Sequence, residues 1–249
     1  MNDIKSDYRH SHLAPKKGRS YHRQFLDQPY RSLVWEHERG ILDRVSAGLT
    51  GQDVFRHLDF ACGTGRVLKY LSDRATVSVG VDLSPSMLEV ARETAPEAEI
   101  IEADLTREDL LDDRVFDLIT AFRFFPNAQE KLREESMVVI ARHLAPGGVF
   151  IFNNHKNTAS LRNRLARVVG RKGFRGMSPR ESEQLVSMVN LDIEEIFHFG
   201  ILPAAENRLI LPRFLLEPLE FFLSRWTILA YLGQNLIYIC RKPSVEKPI

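Results

Sequence analysis

A short apolar run that ends at a carboxylate and two closely spaced glycines constrains this chain more than any other feature. Residues 54–60 are rich in β-branched and aromatic side chains, which favours a buried strand. Gly63 and Gly65 follow, and apolar side chains then recur at helical spacing over 67–71. The pattern predicts a strand, a tight turn and a helix. In open α/β sheets, ligands bind beyond the carboxyl end of such a strand, where backbone N–H groups at the helix start are unpaired.

The residues around this turn restrict the ligand. A dinucleotide site has glycines spaced G-x-G-x-x-G, but Leu68 stands at the third position. Asp59 lies four residues before Gly63. A carboxylate repels a pyrophosphate, whereas it accepts hydrogen bonds from an amino group or from ribose hydroxyls. The turn therefore predicts a ligand that presents a cation or hydroxyl groups.

Two further acids end the next predicted strands. Asp82 closes the apolar run 76–81 and follows Gly63 by 19 residues, an interval that suits a carboxylate on the ribose hydroxyls. Ser84 and Pro85 then fit the N-cap and first position of a helix. Asp104 follows a third run, 100–103, and is either a ligand-binding acid or a helix-capping acid of the loop.

These segments resemble one known family. Residues 59–65, Asp-Phe-Ala-Cys-Gly-Thr-Gly, resemble the D/E-x-x-x-G-x-G signature of class I S-adenosylmethionine-dependent methyltransferases, and residues 82–88 are similar to their D-x-S-x-x-M-L element. Residues 144–148, Leu-Ala-Pro-Gly-Gly, resemble the family's L-x-P-G-G element. The resemblance covers about 54–152 and the last strand, 235–240. It implies a Rossmann-like three-layer α/β fold with a seven-stranded, mostly parallel sheet whose last strand is antiparallel, preceded by a helical insertion.

The resemblance also implies the cofactor, S-adenosylmethionine, with S-adenosylhomocysteine as product. Asp104 would meet the adenine amino group, and Phe122 would lie near the sulfonium. Tyr21 and Tyr30, on predicted N-terminal helices, either cover the cofactor or pack against the sheet. The full set of predicted cofactor residues is Asp59, Ala61, Gly63, Gly65, Arg66, Asp82, Leu83, Met87, Asp104, Leu105, Phe122, Tyr21 and Tyr30.

A length of 249 residues suits one α/β domain, residues 1–249. We expect a flexible tail, a helical lid, a cofactor-binding core, a substrate or cap region and the last strand over 1–19, 20–50, 51–155, 156–232 and 233–242. Two distant cysteines, Cys62 and Cys240, favour a reduced protein without disulfides or a cysteine zinc site, and we predict no metal. The polar first 20 residues lack a signal peptide, so a cytoplasmic protein is expected, and the family resemblance implies a bacterial one.

The acceptor side is predicted from two strand ends. The strand 116–121 leads into Phe122, Arg123 and Phe124, followed by Asn127. Aromatic faces attract a cationic sulfur, and an arginine at a strand end suits either an anion or a salt bridge to a loop acid. At the next strand end, we predict Asn153, Asn154 and Asn157 as substrate-binding residues.

His155 is the predicted general base, because its ordinary pKa lies near neutrality. The alternative is a loop histidine that makes a structural hydrogen bond.

Two segments carry unusual composition. Residues 156–180 contain eight basic residues and no acid, which fits a solvated helix face or an anionic partner. Residues 211–232 are apolar but contain charges and prolines, so they fit core packing, an apolar substrate pocket or peripheral contact with a membrane rather than a spanning helix. A net charge of +1 and the scarcity of aromatics in the basic run argue against DNA.

The sequence therefore predicts transfer of a methyl group to an oxygen, rather than a nitrogen, of a small-molecule, sugar or lipid-linked acceptor that is neutral or anionic. The alternatives are an RNA or protein methyltransferase and a non-catalytic S-adenosylmethionine-binding regulatory subunit. Arg123-Phe124-Phe125-Pro126 replaces the amide-binding tetrad N/D-P-P-Y, which counts against methylation of base amino groups. The sequence leaves the oligomeric state open.

Overall fold

The computed structural model describes residues 8–10, 17–49, 54–170, 176–202, 211–224 and 227–244. Short 3₁₀ helices lie at Tyr8–His10 and Thr227–Leu232. The other elements, in chain order, are α1 (Lys17–Asp27), α2 (Pro29–Ala47), β1 (Arg56–Phe60), α3 (Arg66–Ser72), β2 (Val77–Asp82), α4 (Pro85–Thr94), β3 (Glu99–Glu102), β4 (Phe116–Ala121), α5 (Glu130–His143), β5 (Leu144–Asn154), α6 (Leu161–Val168), α7 (Pro179–Met188), β6 (Asp192–Phe199), α8 (Arg213–Ser224) and β7 (Asn235–Arg241).

The strands form one seven-stranded sheet in the order β3-β2-β1-β4-β5-β7-β6. The first five strands of the sheet, β3, β2, β1, β4 and β5, pair in parallel. The strand β7 lies between β5 and β6 and pairs with both in the antiparallel sense. The strand order reverses at β1 and β4, which is where open α/β sheets bind ligands. The predicted Rossmann-like fold with an antiparallel last strand is confirmed.

Alternating side chains of the central strands bury both faces of the sheet. Ile119 of β4 packs on the face covered by α5 and α7, and its neighbour Leu118 packs on the opposite face, against α2 and α3. Both are fully buried. A strand that is covered on both faces has a nearly continuous apolar sequence. Residues 116–121 show this pattern.

One predicted boundary is wrong. The first long helix begins at Lys17 rather than at residue 20. The strand β5 begins at Leu144, which pairs with Phe116, so the L-x-P-G-G element at 144–148 lies within the strand. Gly147 adopts a φ of +75°, and the register between β4 and β5 shifts beside it. The glycine pair thus forms an irregularity within β5 instead of a separate turn.

Within the apolar segment 211–232, three large side chains of α8 do not pack into the core. Leu215, Leu219 and Phe222 are exposed on α8, whereas Leu216 is buried. Glu220 is also buried and accepts hydrogen bonds from the N–H groups of 200–202, at 2.7–3.1 Å. This carboxylate holds α8 against the end of β6. Across the parts of the chain that the structure describes, no helix combines the length and apolarity needed to span a membrane.

Candidate functional site

A cleft opens at the carboxyl ends of β1, β2 and β4, where the sheet order reverses. It contains about 1100 Å³ of empty space, the solvent at its mouth included. Every predicted cofactor residue except Gly65 and Tyr30 lines it, as do Arg123 and Phe124. Sequence reasoning missed other lining residues, among them Tyr8, Arg9, Cys62, Thr64, Ser84, Thr106 and Ser136.

The turn between β1 and α3 depends on backbone conformations that favour glycine. Gly63 and Gly65 adopt φ angles of +55° and +76°, and Ala61 also lies in the left-handed region at +56°. A Cβ on Gly65 would lie 3.1 Å from Ala91 Cα on α4. Gly65 therefore allows α3 to start close to α4, which is why it shapes the cleft without lining it.

Asp82 stabilises the turn from the neighbouring strand. Its carboxylate accepts hydrogen bonds from the N–H of Gly63 at 2.9 Å and from the N–H of Ser84 at 2.8 Å. Ser84 caps α4, as predicted, by accepting from the N–H of Met87. Burial raises the pKa of Asp82 above its ordinary value, although these backbone hydrogen bonds oppose the shift. Each carboxylate oxygen retains a second lone pair, so the group can still accept from ligand hydroxyls.

Asp59 lies at the floor of the cleft. It is 2% exposed, and Oδ1 accepts a hydrogen bond from Thr120 Oγ1 at 2.8 Å. Burial raises the pKa of this carboxyl to about 7, against the hydrogen bond from Thr120 and the nearby Arg66 guanidinium. A cationic ligand group would favour the ionised carboxylate.

Asp104 is engaged by the N-terminal segment. Arg9 Nε donates to Asp104 Oδ2 at 2.6 Å, and Arg9 Nη2 donates to Thr106 and to Glu135. Thr106 also donates to Asp104 through its N–H and its hydroxyl. Burial acts to raise the pKa of Asp104, but the hydrogen bonds from Thr106 and Arg9 outweigh it and hold the pKa below its ordinary value. The alternative that Asp104 is a structural acid of the loop thus describes part of its role. Contact of Asp104 with adenine remains a prediction.

The predicted flexible tail is wrong for residues 8–10. Tyr8 packs edge-on against Phe124, with ring centroids 5.9 Å apart, and lines the cleft beside Arg9. No periodicity or spacing in the polar N-terminal sequence indicates this contact. The remainder of the predicted tail up to residue 16 lies outside the described residues.

The two predicted lid tyrosines differ. Tyr21 of α1 lines the cleft. Tyr30 of α2 is 5% exposed, does not line the cleft, and its hydroxyl accepts a hydrogen bond from Asn235 Nδ2 at 2.9 Å. Burial raises the pKa of Tyr30. The packing alternative therefore describes Tyr30, and the prediction that it contacts the cofactor is not supported by its position.

Side-chain amides hold Arg123 in an uncommon backbone conformation. Its φ is +61°, in the left-handed region. Its N–H donates to Asn153 Oδ1 at 2.6 Å, and its carbonyl oxygen accepts from Asn127 Nδ2 at 2.6 Å. Lys156 Nζ donates in turn to Asn127 Oδ1. Conformations of this kind persist where surrounding contacts fix them, often at ligand-binding positions.

The predicted substrate asparagines are buried and bonded to the protein. Asn153 Nδ2 donates to Glu38 at 2.9 Å, and Asn154 Nδ2 donates to the carbonyl of Met177 at 2.7 Å. Asn157 Nδ2 donates to two carbonyl groups, and its Oδ1 accepts from a backbone N–H. None of the three lines the cleft. Direct contact with a substrate would require these bonds to break, so their observed role is to shape the strand end.

Glu38 was not identified from the sequence. It is fully buried on α2, and its carboxylate accepts from Arg66 Nη1 at 3.0 Å and from Asn153 Nδ2 at 2.9 Å. The Arg66 guanidinium lies over the Trp35 ring at 3.9 Å. This buried ion pair connects the glycine turn with the end of β5. Glu38 is one of three acids on α2, and nothing in the sequence distinguishes it from Glu36 or Asp43.

His155 is buried and does not line the cleft. It is 4% exposed, and its Nδ1 has no hydrogen-bond partner among the described residues. Burial lowers its pKa well below the ordinary value, and the positive charges of Arg123, Lys156 and Arg31 act in the same direction. The side chain is therefore neutral near pH 7. Its role as a general base remains a prediction that this placement does not favour.

The basic segment 156–180 is described in part. Residues 171–175 lie outside the described residues. Arg164 and Arg167 are exposed on the short α6, and Arg162 donates to Gln234 at 3.1 Å. The described part agrees with a solvated face.

Residues 58–148 match the family model described as "Methyltransferase domain". Over 96 residues the chain is 36% identical to dTDP-4-amino-2,3,4,6-tetradeoxy-D-glucose N,N-dimethyltransferase of Saccharopolyspora spinosa. This match covers 38% of this chain and 38% of the relative. Over 116 residues the chain is 32% identical to ubiquinone biosynthesis O-methyltransferase of Alkalilimnicola ehrlichii. This match covers 45% of this chain and 46% of the relative. The matches thus span less than half the length of these two relatives.

A solved structure extends the likeness to the whole fold. The N-methyltransferase NodS from Bradyrhizobium japonicum WM9, in complex with S-adenosyl-L-homocysteine, superposes with a TM-score of 0.57 at 15% identity. The match covers 91% of this chain and 98% of that chain. At this identity the likeness concerns the fold.

Proposed function

We propose that this chain, which carries a class I S-adenosylmethionine-dependent methyltransferase domain, methylates an oxygen of a small-molecule acceptor. The observation that carries the proposal is the pair of acids at the ends of adjacent strands, the buried Asp59 and the partly buried Asp82, beneath a glycine turn that Asp82 itself holds. The two carboxylates suit an ammonium group and ribose hydroxyls. The bound cofactor would supply an electrophilic methyl group on a cationic sulfur.

The choice of oxygen is supported by the residues that follow β4. Phe122, Arg123 and Phe124 line the cleft there. Their side chains provide no hydrogen-bond acceptor with which to orient an amino group. A hydroxyl can be positioned by its own lone pairs, because the Arg123 guanidinium can only donate hydrogen bonds.

The acceptor is further proposed to carry an anionic group. Arg123 lies in the cleft wall, and the amide contacts to its backbone fix the strand end from which its side chain extends. A guanidinium recognises carboxylates and phosphates through paired hydrogen bonds. Methyl transfer needs such positioning more than any other contribution, since the reaction requires the nucleophile in line with the methyl group.

The first experiment is isothermal calorimetry with S-adenosylmethionine, followed by mass spectrometry of small-molecule extracts incubated with protein and cofactor. We expect micromolar binding and a product heavier by one methyl group on an oxygen. Binding without any methylated product across extracts would instead support a non-catalytic cofactor-binding subunit. Methylated RNA or protein in the same incubations would overturn the small-molecule assignment, and an N-methylated product would overturn the choice of oxygen.

Replacing His155 by alanine is expected to lower stability more than methyl transfer. The side chain is buried outside the cleft, so its removal leaves a cavity that costs about 1–3 kcal/mol of unfolding free energy. Methyl transfer measured with saturating cofactor should fall less than about tenfold, because general-base catalysis contributes about 100-fold or more when it operates. A loss above 100-fold in a folded variant would make His155 the base.

A further inference from the structure

A row of polar side chains crosses the sheet beneath the cleft and ends at Asp59. His57 of β1 is fully buried. Its Nδ1 lies 3.1 Å from Ser78 Oγ on β2, and its Nε2 lies 2.9 Å from Thr120 Oγ1 on β4. Thr120 Oγ1 donates to Asp59 Oδ1 at 2.8 Å. The row thus links three adjacent strands by hydrogen bonds among side chains.

The strand register explains why these groups meet. His57 and Asp59 are two residues apart on β1, so both point to the same face of the sheet. His57 pairs with Ser78 across to β2, and Asp59 pairs with Thr120 across to β4. The pairing of β2, β1 and β4 therefore places the hydroxyls of Ser78 and Thr120 on either side of the His57 imidazole. The Thr120 hydroxyl also lies beside the Asp59 carboxylate.

The donors in this row follow from the chemistry of the groups. An ionised carboxylate only accepts hydrogen bonds, so the single hydroxyl proton of Thr120 is directed at Asp59. Thr120 Oγ1 must then accept from His57 Nε2–H, which leaves Nδ1 to accept from the hydroxyl of Ser78. His57 can fill this role because it is neutral: burial lowers its pKa to about 3.

We propose that His57 is a positioning residue that, through Thr120, favours the ionised form of the Asp59 carboxyl, which accepts the ammonium group at the amino-acid end of the cofactor. The proposal rests on the function proposed above. The imidazole fixes the direction of the threonine hydroxyl, and the hydroxyl stabilises the charge on Asp59. The cleft then binds the cofactor without having to reorient this hydrogen bond.

The charged groups around Asp59 set the direction of the pH effect. Besides Thr120, the Arg66 guanidinium and the backbone N–H of Leu68 favour the ionised carboxyl, whereas burial and the Asp82 carboxylate disfavour it. With a pKa of about 7 in the free protein, Asp59 is largely protonated below pH 7 and largely ionised above it. Affinity for a cationic aminoacyl group therefore rises as the pH increases through about 7.

The test compares His57→Leu with His57→Gln by calorimetry with S-adenosylhomocysteine between about pH 5.5 and 8.5. Leucine removes the donor to Thr120, so the pH midpoint of binding should move up by about one unit, a loss of roughly fivefold in affinity at pH 7. Glutamine places an N–H donor where Nε2 lies, so its midpoint should stay near that of the unmodified protein. An unchanged midpoint in His57→Leu, or a glutamine variant that shifts as leucine does, would overturn the proposal.

Thr120→Val provides the second variant, because it removes the hydroxyl with little change in shape. We expect the same upward shift, and no additional shift when it is combined with His57→Leu, since both changes remove one shared interaction. Thermal unfolding without ligand identifies any variant that fails to fold, in which case Thr120→Val decides. The control ligand is methylthioadenosine, which lacks the aminoacyl group and should bind with no midpoint near pH 7. If the unmodified protein binds neither ligand, the proposed function fails; if it binds and only the predicted shifts are missing, the role of His57 alone fails.

Discussion

Replacing Asp82 by alanine is expected to weaken S-adenosylmethionine binding by about 100-fold, or about 2.7 kcal/mol. The carboxylate accepts from the N–H groups of Gly63 and Ser84, so its loss releases the glycine turn and the start of α4 together. The same oxygens are the proposed acceptors for the ribose hydroxyls. Hydrogen bonds to a charged group contribute about 1.5–3 kcal/mol each, so losing the ligand contacts alone accounts for the expected effect.

Calorimetry at pH 7.5 measures the loss of S-adenosylmethionine affinity, and two further variants serve as controls. Asp82→Asn keeps the shape but offers only one accepting oxygen, so its binding should be intermediate. Asp73→Ala removes an exposed acid at the end of α3, paired with Lys69, and should leave affinity unchanged. Cofactor affinity within twofold of the unmodified protein in a folded Asp82→Ala variant would contradict the assignment of the cleft.

Replacing Glu38 by alanine is expected to lower the free energy of unfolding by about 3–5 kcal/mol. The change leaves the Arg66 guanidinium, 16% exposed, without its carboxylate and removes the acceptor of the Asn153 amide. Removing one partner of a buried ion pair lowers stability by more than the intact pair adds to it, because the other charge stays in the interior without that partner. Stacking of Arg66 on Trp35 offsets only part of this loss.

Urea unfolding monitored by tryptophan fluorescence measures the effect, and Glu36→Ala is the matched control. Glu36 lies on the same helix and pairs with Arg213 at the surface, so its removal should cost less than about 1 kcal/mol. Glu38→Gln retains an acceptor for Asn153 while losing the charge, and it should fall between the two. Equal stabilities of the Glu36 and Glu38 alanine variants would show that the buried pair contributes nothing.

The sequence by itself determined the features that depend on local spacing. The turn at Gly63 and Gly65, the cap at Ser84 and the acid at Asp82 all lie within a few residues of the elements that they define. Strands buried on both faces stand out as apolar runs, which allowed the sheet and its strand-end acids to be located. The seven-stranded sheet and about half of the cleft lining were implied by the family resemblance that these local signals carry.

The tertiary structure alone decided which polar side chains face the cleft and which hold it together. Arg9 reaches Asp104 across 95 residues, and Glu38 meets Asn153 across 115. Asn153 and His155 lie at the carboxyl end of β5, the position expected of substrate contacts, yet both are buried. A polar residue at a strand end can equally bind a ligand or satisfy a buried backbone group, and only its partners distinguish the two. Because those partners come from distant elements that meet only when the sheet and helices pack, no local pattern in the sequence records them.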